Sequence, residues 1–131
     1  MLWFLRFLFI AVLASMLWVT SWASLRVSIL AIPRDVFTHP WFIATLFDAY
    51  FGFLTFYVWQ AWKEQSLAAR VLWFINVMLL GNLAMAIYVL VELFRIKESS
   101  QIAEVISRRN PGPLALPSAL VAASVGIYLL A

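Results

Sequence analysis

The chain has 131 residues, of which 66% are hydrophobic and 11% charged, with a formal net charge of +3. An ordinary soluble domain is about 45–50% apolar and about 25% charged, so a water-soluble core with a polar coat is excluded and an apolar surrounding is implied. The nine basic residues are scattered at segment ends, without the concentrated basic face of a nucleic-acid binder, and the absence of cysteine excludes disulfides, thiol catalysis and thiolate metal sites.

Four apolar runs follow one another, each to be set against the roughly 20 residues a helix needs to cross a bilayer. The first extends from about Leu2 to Ala23 and is broken only by Arg6. Ser21-Trp22-Ala23 at its end resembles a signal-peptidase site, but the charged region before it is Arg6 alone, so the run reads as a retained anchor. The stretch from Ser24 to Pro40 then carries Pro33, Arg34, Asp35 and His39. Its Leu25, Val27, Ile29, Leu30 and Ile32 suit a segment lying partly in the membrane interface.

The second run, from about Trp41 to Trp62, contains one charge, Asp48. Lys63 to Ser66 form a short polar turn, which makes the second and third runs antiparallel neighbours. The third run extends from about Leu67 to Phe94, long enough to span with tilt. Between about 99 and 109 the sequence predicts an amphipathic interfacial segment. Ile102, Val105 and Ile106 share one helical face there, and Glu104 and Arg108 are spaced to pair. Asn110-Pro111-Gly112-Pro113 stops that helix, and a fourth run goes from about Leu114 to Ala131. The expected fold is all-α: a single domain, a polytopic membrane protein of four transmembrane helices in an up-and-down bundle.

Tryptophans gather near the run ends, where an apolar ring and a polar N–H both find partners at a membrane interface. Up-and-down threading sends Trp3, Trp59, Trp62 and Trp73 to one face and Trp18, Trp22 and Trp41 to the other. The same threading divides the basic residues into Arg6, Lys63 and Arg70 against Arg26, Arg34, Arg95, Lys97, Arg108 and Arg109. By the excess of Lys and Arg, the loops 24–40 and 95–113 are expected to be cytoplasmic, with both termini on the opposite face.

An ionised Asp inside a bilayer costs on the order of 2.5–3.5 kcal/mol, so Asp48 needs a reason. Counted from the 63–66 turn, Asp48 falls level with Asn82, and Thr55 falls near Asn76. Together with Thr45 they predict a polar seam between two helices. Small residues are expected to mark helix packing: Gly52 on the second run, Gly81 on the third, and Ala119, Ala122 and Gly126 on the fourth. Glu92 is expected to pair with Arg95 or Lys97 near the interface. His39, the one histidine, is a candidate pigment ligand set against a capping role at the entrance of the second run. No serine has a His–Asp partner set, and no phosphate loop or paired-carboxylate arrangement occurs, so catalysis and metal binding are not expected.

The segment Pro40-Trp41-Phe42-Ile43-Ala44-Thr45-Leu46-Phe47-Asp48-Ala49-Tyr50, closing on Trp62-Lys63-Glu64, resembles a family of small integral membrane proteins of plants and bacteria, known as a domain of unknown function. The resemblance covers residues 1 to about 97 and is strongest at 40–64. It implies a three-span layout, to which the fourth run is a local addition, and it brings no activity.

The expected role is non-catalytic: a scaffold or accessory subunit of a larger membrane assembly, photosynthetic or respiratory in kind. It requires no cofactor, leaves room for bound pigment or lipid, and has the bilayer and other membrane proteins as partners, with no nucleic acid. The alternative is a small-molecule or ion binder or transporter working through the seam around Asp48 and Asn82.

Overall fold

The computed structural model describes residues 1–130, and all the regular structure in them is helical. The last residue of the fourth run, Ala131, lies outside the described residues. Helix α1 is Leu2–Arg26, followed by a 3-10 turn at Ile29–Ala31 and a short α2, Arg34–Phe37. Helix α3 is Pro40–Lys63. Pro40 takes the first turn, where its missing N–H costs nothing, and the His39 side chain accepts from Trp41 N at 3.3 Å. The polar turn predicted at 63–66 is present, and Ser66 caps the next helix.

The predicted helix over 67–94 is not one helix. It is α4, Leu67–Leu80, and α5, Asn82–Arg95, separated by Gly81. Gly81 has φ +53° and ψ −122°, which ends the i,i+4 ladder, and a Cβ there would stand 2.6 Å from the Phe53 ring. Both facts require glycine. The chain then folds back. Trp73 of α4 and Tyr88 of α5 place their ring centroids 4.9 Å apart, although along a straight helix their 15-residue separation would be about 22 Å. Each arm of this hairpin is about 21 Å long, short of the roughly 30 Å hydrocarbon core. A 3-10 turn at Ser99–Gln101, α6 (Ile102–Ser107) and α7 (Ala115–Leu130) complete the chain.

α1 packs along α5, α3 along α4, and α4 against both α5 and α7. The hairpin is therefore the centre of the fold, with one long helix leaning on each arm. Arg6 fixes the foot of α1. It donates to Leu93 O and Ile96 O at 3.1 and 2.8 Å, the free carbonyls at the end of α5, and its guanidinium lies 4.5 Å from the Phe94 ring centroid. Leu2, Leu93, Ile96 and Val105 form a small apolar core beside it.

The fold-back changes the expected threading. Loops 24–40 and 95–113 lie at opposite ends of the molecule. The N-terminus shares its end with 63–66 and 95–113, and α7 runs from that end towards the hairpin tip, where Tyr128 donates to Leu79 O at 2.7 Å. Seven of the nine basic residues thereby collect at one end (Arg6, Lys63, Arg70, Arg95, Lys97, Arg108, Arg109), leaving Arg26 and Arg34 at the other. The division of tryptophans survives because each lies outside the part that reverses. Trp73 is nevertheless buried against Tyr88, while Trp3, Trp18 and Trp41 are three-quarters exposed.

Two helices, α1 and α3, are long and apolar enough to cross a membrane, and the shorter α4 and α7 are apolar as well. The most apolar stretch of α3 has no buried residue. Accessible surface totals 8685 Å², against about 7,000 Å² for a compact soluble monomer of this mass. Much of the excess is large apolar side chain, such as Phe7, Trp18, Phe47 and Phe51.

Candidate functional site

The densest polar arrangement lies where the foot of α3, the end of α5 and the loop before α7 meet. Lys63 closes α3 with its side chain fully buried. Its ammonium donates to Val105 O and Arg108 O, both at 2.6 Å, and stands 3.1 Å from Glu92 Oε2. Those three acceptors use all three of its protons. The ring of Trp59, one turn earlier, lies 5.3 Å away, and its indole N–H donates to Ile106 O.

Glu92, 2% exposed, is the hub. Besides Lys63 it takes Arg95 Nη1 at 3.0 Å and Asn110 Nδ2 at 3.0 Å, both on Oε1. Asn110 binds through every polar group it has. Its N–H donates to Lys63 O at 2.7 Å and its C=O accepts from Gln65 N at 3.0 Å, a short parallel bridge. Its Oδ1 accepts from Arg95 at 2.8 Å, and its Nδ2 also donates to Glu64 Oε1 at 2.9 Å. Tyr88 donates to that same oxygen at 2.9 Å. Gly112, at φ +93°, lets the loop pass so close that a Cβ would stand 2.9 Å from Ser66 N.

Lys63 and Arg95 both bind Glu92, so the Glu64 side chain is held by the neutral donors Tyr88 and Asn110, and its Oε2 has no partner; the Arg70 guanidinium reaches only the Glu64 backbone carbonyl, at 2.7 Å. A cavity of about 40 Å³ bordered by Glu64, Trp73, Tyr88 and Asn110 is large enough for water. Among the described residues no three of His, Asp and Glu come together as metal ligands. With its donors and acceptors turned on one another, the cluster acts as a clasp. It ties the α3–α4 turn, the end of the hairpin and the 99–113 loop into one unit.

The residues singled out from sequence lie elsewhere. The register is as counted: Tyr50 reaches Met78 O and the Tyr57 ring meets the Phe74 ring edge to face, which sets Asp48 level with Asn82. Yet Asp48 and Asn82 are both exposed, and neither makes a hydrogen bond or ion pair among the described residues. Thr45 and Thr55 turn back on their own helix, donating to Trp41 O and Phe51 O. Asn76 is buried but serves α7, donating to Pro117 O at 3.0 Å. The polar seam is not assembled.

The packing residues divide similarly. Gly81 makes the hairpin turn. Gly52 and Gly126 have no atom within 4 Å of a would-be Cβ, and Ala119 and Ala122 are exposed, because α7 meets α4 through Leu116, Pro117, Leu120 and Ser124 instead. His39 takes the capping position, exposed at the head of α3.

Of the clasp, sequence reasoning found only the Glu92–Arg95 pair; Lys97 is not part of it. Glu104 and Arg108 do pair, at 4.0 Å and exposed, where such a bridge is worth little. Lys63 and Glu64 read as a solvent turn, and Asn110 as a helix stop. The available signal was Glu92 itself, an acid in an apolar run with too few local donors.

A family model described as "Protein of unknown function (DUF1475)" matches residues 3–110, and the chain belongs to that family. The match runs past the expected limit of about 97 and takes in every member of the clasp, ending on Asn110 itself, while α7 lies beyond it. No curated protein and no solved structure matches the chain.

Proposed function

We propose that this DUF1475 member is an integral membrane protein without catalytic chemistry, serving as a scaffold or accessory subunit of a larger membrane assembly. The observation that carries the reading is the bareness of α1 and α3. Each leans on one arm of the hairpin and leaves most of a long apolar, aromatic face uncovered. Such faces are stable only against lipid or other apolar helices. The one dense polar cluster is spent on internal contacts, which supports a structural role over a chemical one.

In this reading α1 and α3 cross the bilayer, and the hairpin enters from the basic end and returns to it. The seven basic residues at that end make it the cytoplasmic side. The test is extraction in mild detergent followed by sizing, an absorbance spectrum and mass spectrometry of what co-elutes. A scaffold elutes with defined membrane-protein partners at a fixed ratio. Elution as a lone chain in its micelle contradicts the role.

A further inference from the structure

Asp48 stands about 12 Å from the head of α3 and about 22 Å from Lys63, inside a helix long and apolar enough to cross a membrane. It is exposed and makes no hydrogen bond or ion pair among the described residues. The nearest hydroxyls on its helix do not serve it, since Thr45 and Thr55 donate to Trp41 O and Phe51 O. Among acyl chains a carboxylate has no water to solvate it, so a residue kept there calls for a counter-charge.

Steps of three and four residues put Thr45, Asp48, Gly52, Thr55 and Trp59 on one face of α3. The chain's own 99–113 loop meets the foot of that face, where the Trp59 indole donates to Ile106 O at 3.0 Å. Beyond it, Thr55, Gly52, Asp48 and Thr45 are all exposed. Gly52 has ordinary helical backbone, and a Cβ on it would meet nothing within 4 Å, so no contact among the described residues requires glycine there. One turn from Asp48, its bare backbone is where a second helix can cross closely enough for a side chain to reach the carboxylate.

The counter-charge comes neither from this chain nor from a second copy of it. Arg26 and Arg34 lie at the end where α3 begins and the other seven basic residues at the opposite end, with no Lys or Arg in 7–25, 35–62, 71–94 or 110–131. A copy in the same orientation therefore brings no cation to the depth of Asp48, and two-fold packing on this face would set Asp48 against Asp48. We infer that this face docks a transmembrane helix of a different protein, one that carries a lysine or arginine at the depth of Asp48. The cation pairs with the carboxylate, and the two backbones cross at Gly52. The inference deepens the scaffold reading given above and rests on it.

The test places a photoreactive benzoylphenylalanine in the full chain in place of Phe51, whose ring is 60% exposed beside this face. Native membranes are irradiated, and the crosslinked peptides are sequenced by mass spectrometry. The expected product joins position 51 to a span of another protein with a lysine or arginine inside it. Asp48→Leu and Gly52→Leu should each lower its yield at least about tenfold, the first by removing the charge-assisted pair and the second by blocking close approach. Both purified variants should unfold no earlier than the parent chain, which shows that the loss is one of docking and not of folding. A crosslink to a second copy of the chain, to a span without a basic residue, or to lipid alone overturns the inference, as does a yield that Asp48→Leu leaves unchanged. Extraction with a fixed-ratio partner but without this crosslink refutes the face alone, whereas extraction as a lone chain refutes the scaffold reading.

Discussion

The two halves of this molecule are held by different physics. In the half around Lys63, the α3–α4 turn, the end of α5 and the 99–113 loop converge and are tied by directional bonds between buried charged and polar groups. In the half around Asp48 and the hairpin tip, α1 and α3 stand apart with apolar faces bare, and the polar side chains meet little within the chain. In an apolar solvent, burying a leucine gains little, so polar contacts decide which helices hold together. The contrast teaches that position in an apolar run does not say whether a polar residue is structural. Partners supplied by the fold do.

The largest effect should come from breaking the clasp at its hub. Glu92→Leu removes the carboxylate that both Lys63 and Arg95 bind and should cost about 3–5 kcal/mol, read as thermal unfolding in detergent. Adding Lys63→Met should return much of that loss, since the desolvated pair goes with its penalty. Gly81→Ala comes next, at about 1–3 kcal/mol, from the positive φ together with the Phe53 contact. Phe53→Leu should relieve only the contact. Asn110→Ala removes the side-chain link between Glu64, Glu92 and Arg95 but keeps its backbone bridge, and should cost about 1–3 kcal/mol.

The smallest effects belong to the other half. Asp48→Asn should change the stability of the isolated chain by less than about 0.5 kcal/mol, and Gly126→Ala, with open space for its Cβ inside α7, should raise it by about 0.5–1 kcal/mol through helix propensity alone. A large loss at Asp48 in the isolated chain would mean that the bare half has an internal partner after all, and the contrast between the halves would fall.

Much of the local structure was legible in the sequence. Hydropathy marked the apolar runs, His39 was a capping candidate at the start of the second, and the register of α3 on α4 followed from counting back from the polar turn. The reversal at Gly81 was missed because a glycine in an apolar run marks a packing contact as readily as a turn, and the adjacent Asn82 was assigned to the polar seam instead of being read with Gly81 as a turn pair. That single residue carried the largest error. With 67–94 taken as one crossing, Glu92 was placed far from Lys63, and the loop holding Asn110 fell at the wrong end. The clasp joins residues up to 47 apart in sequence, as in the Lys63–Asn110 backbone bond, so no local spacing could show it.

The fold-back is the central claim, and the chain's lack of cysteine makes it directly testable. Single cysteines would be placed at Gln65, Lys97 and Arg34 and probed in sealed vesicles with a membrane-impermeant maleimide. The account predicts that positions 65 and 97 label from the same side and position 34 from the other. Labelling of 97 together with 34, and opposite to 65, would show 67–94 crossing as one helix and would contradict it.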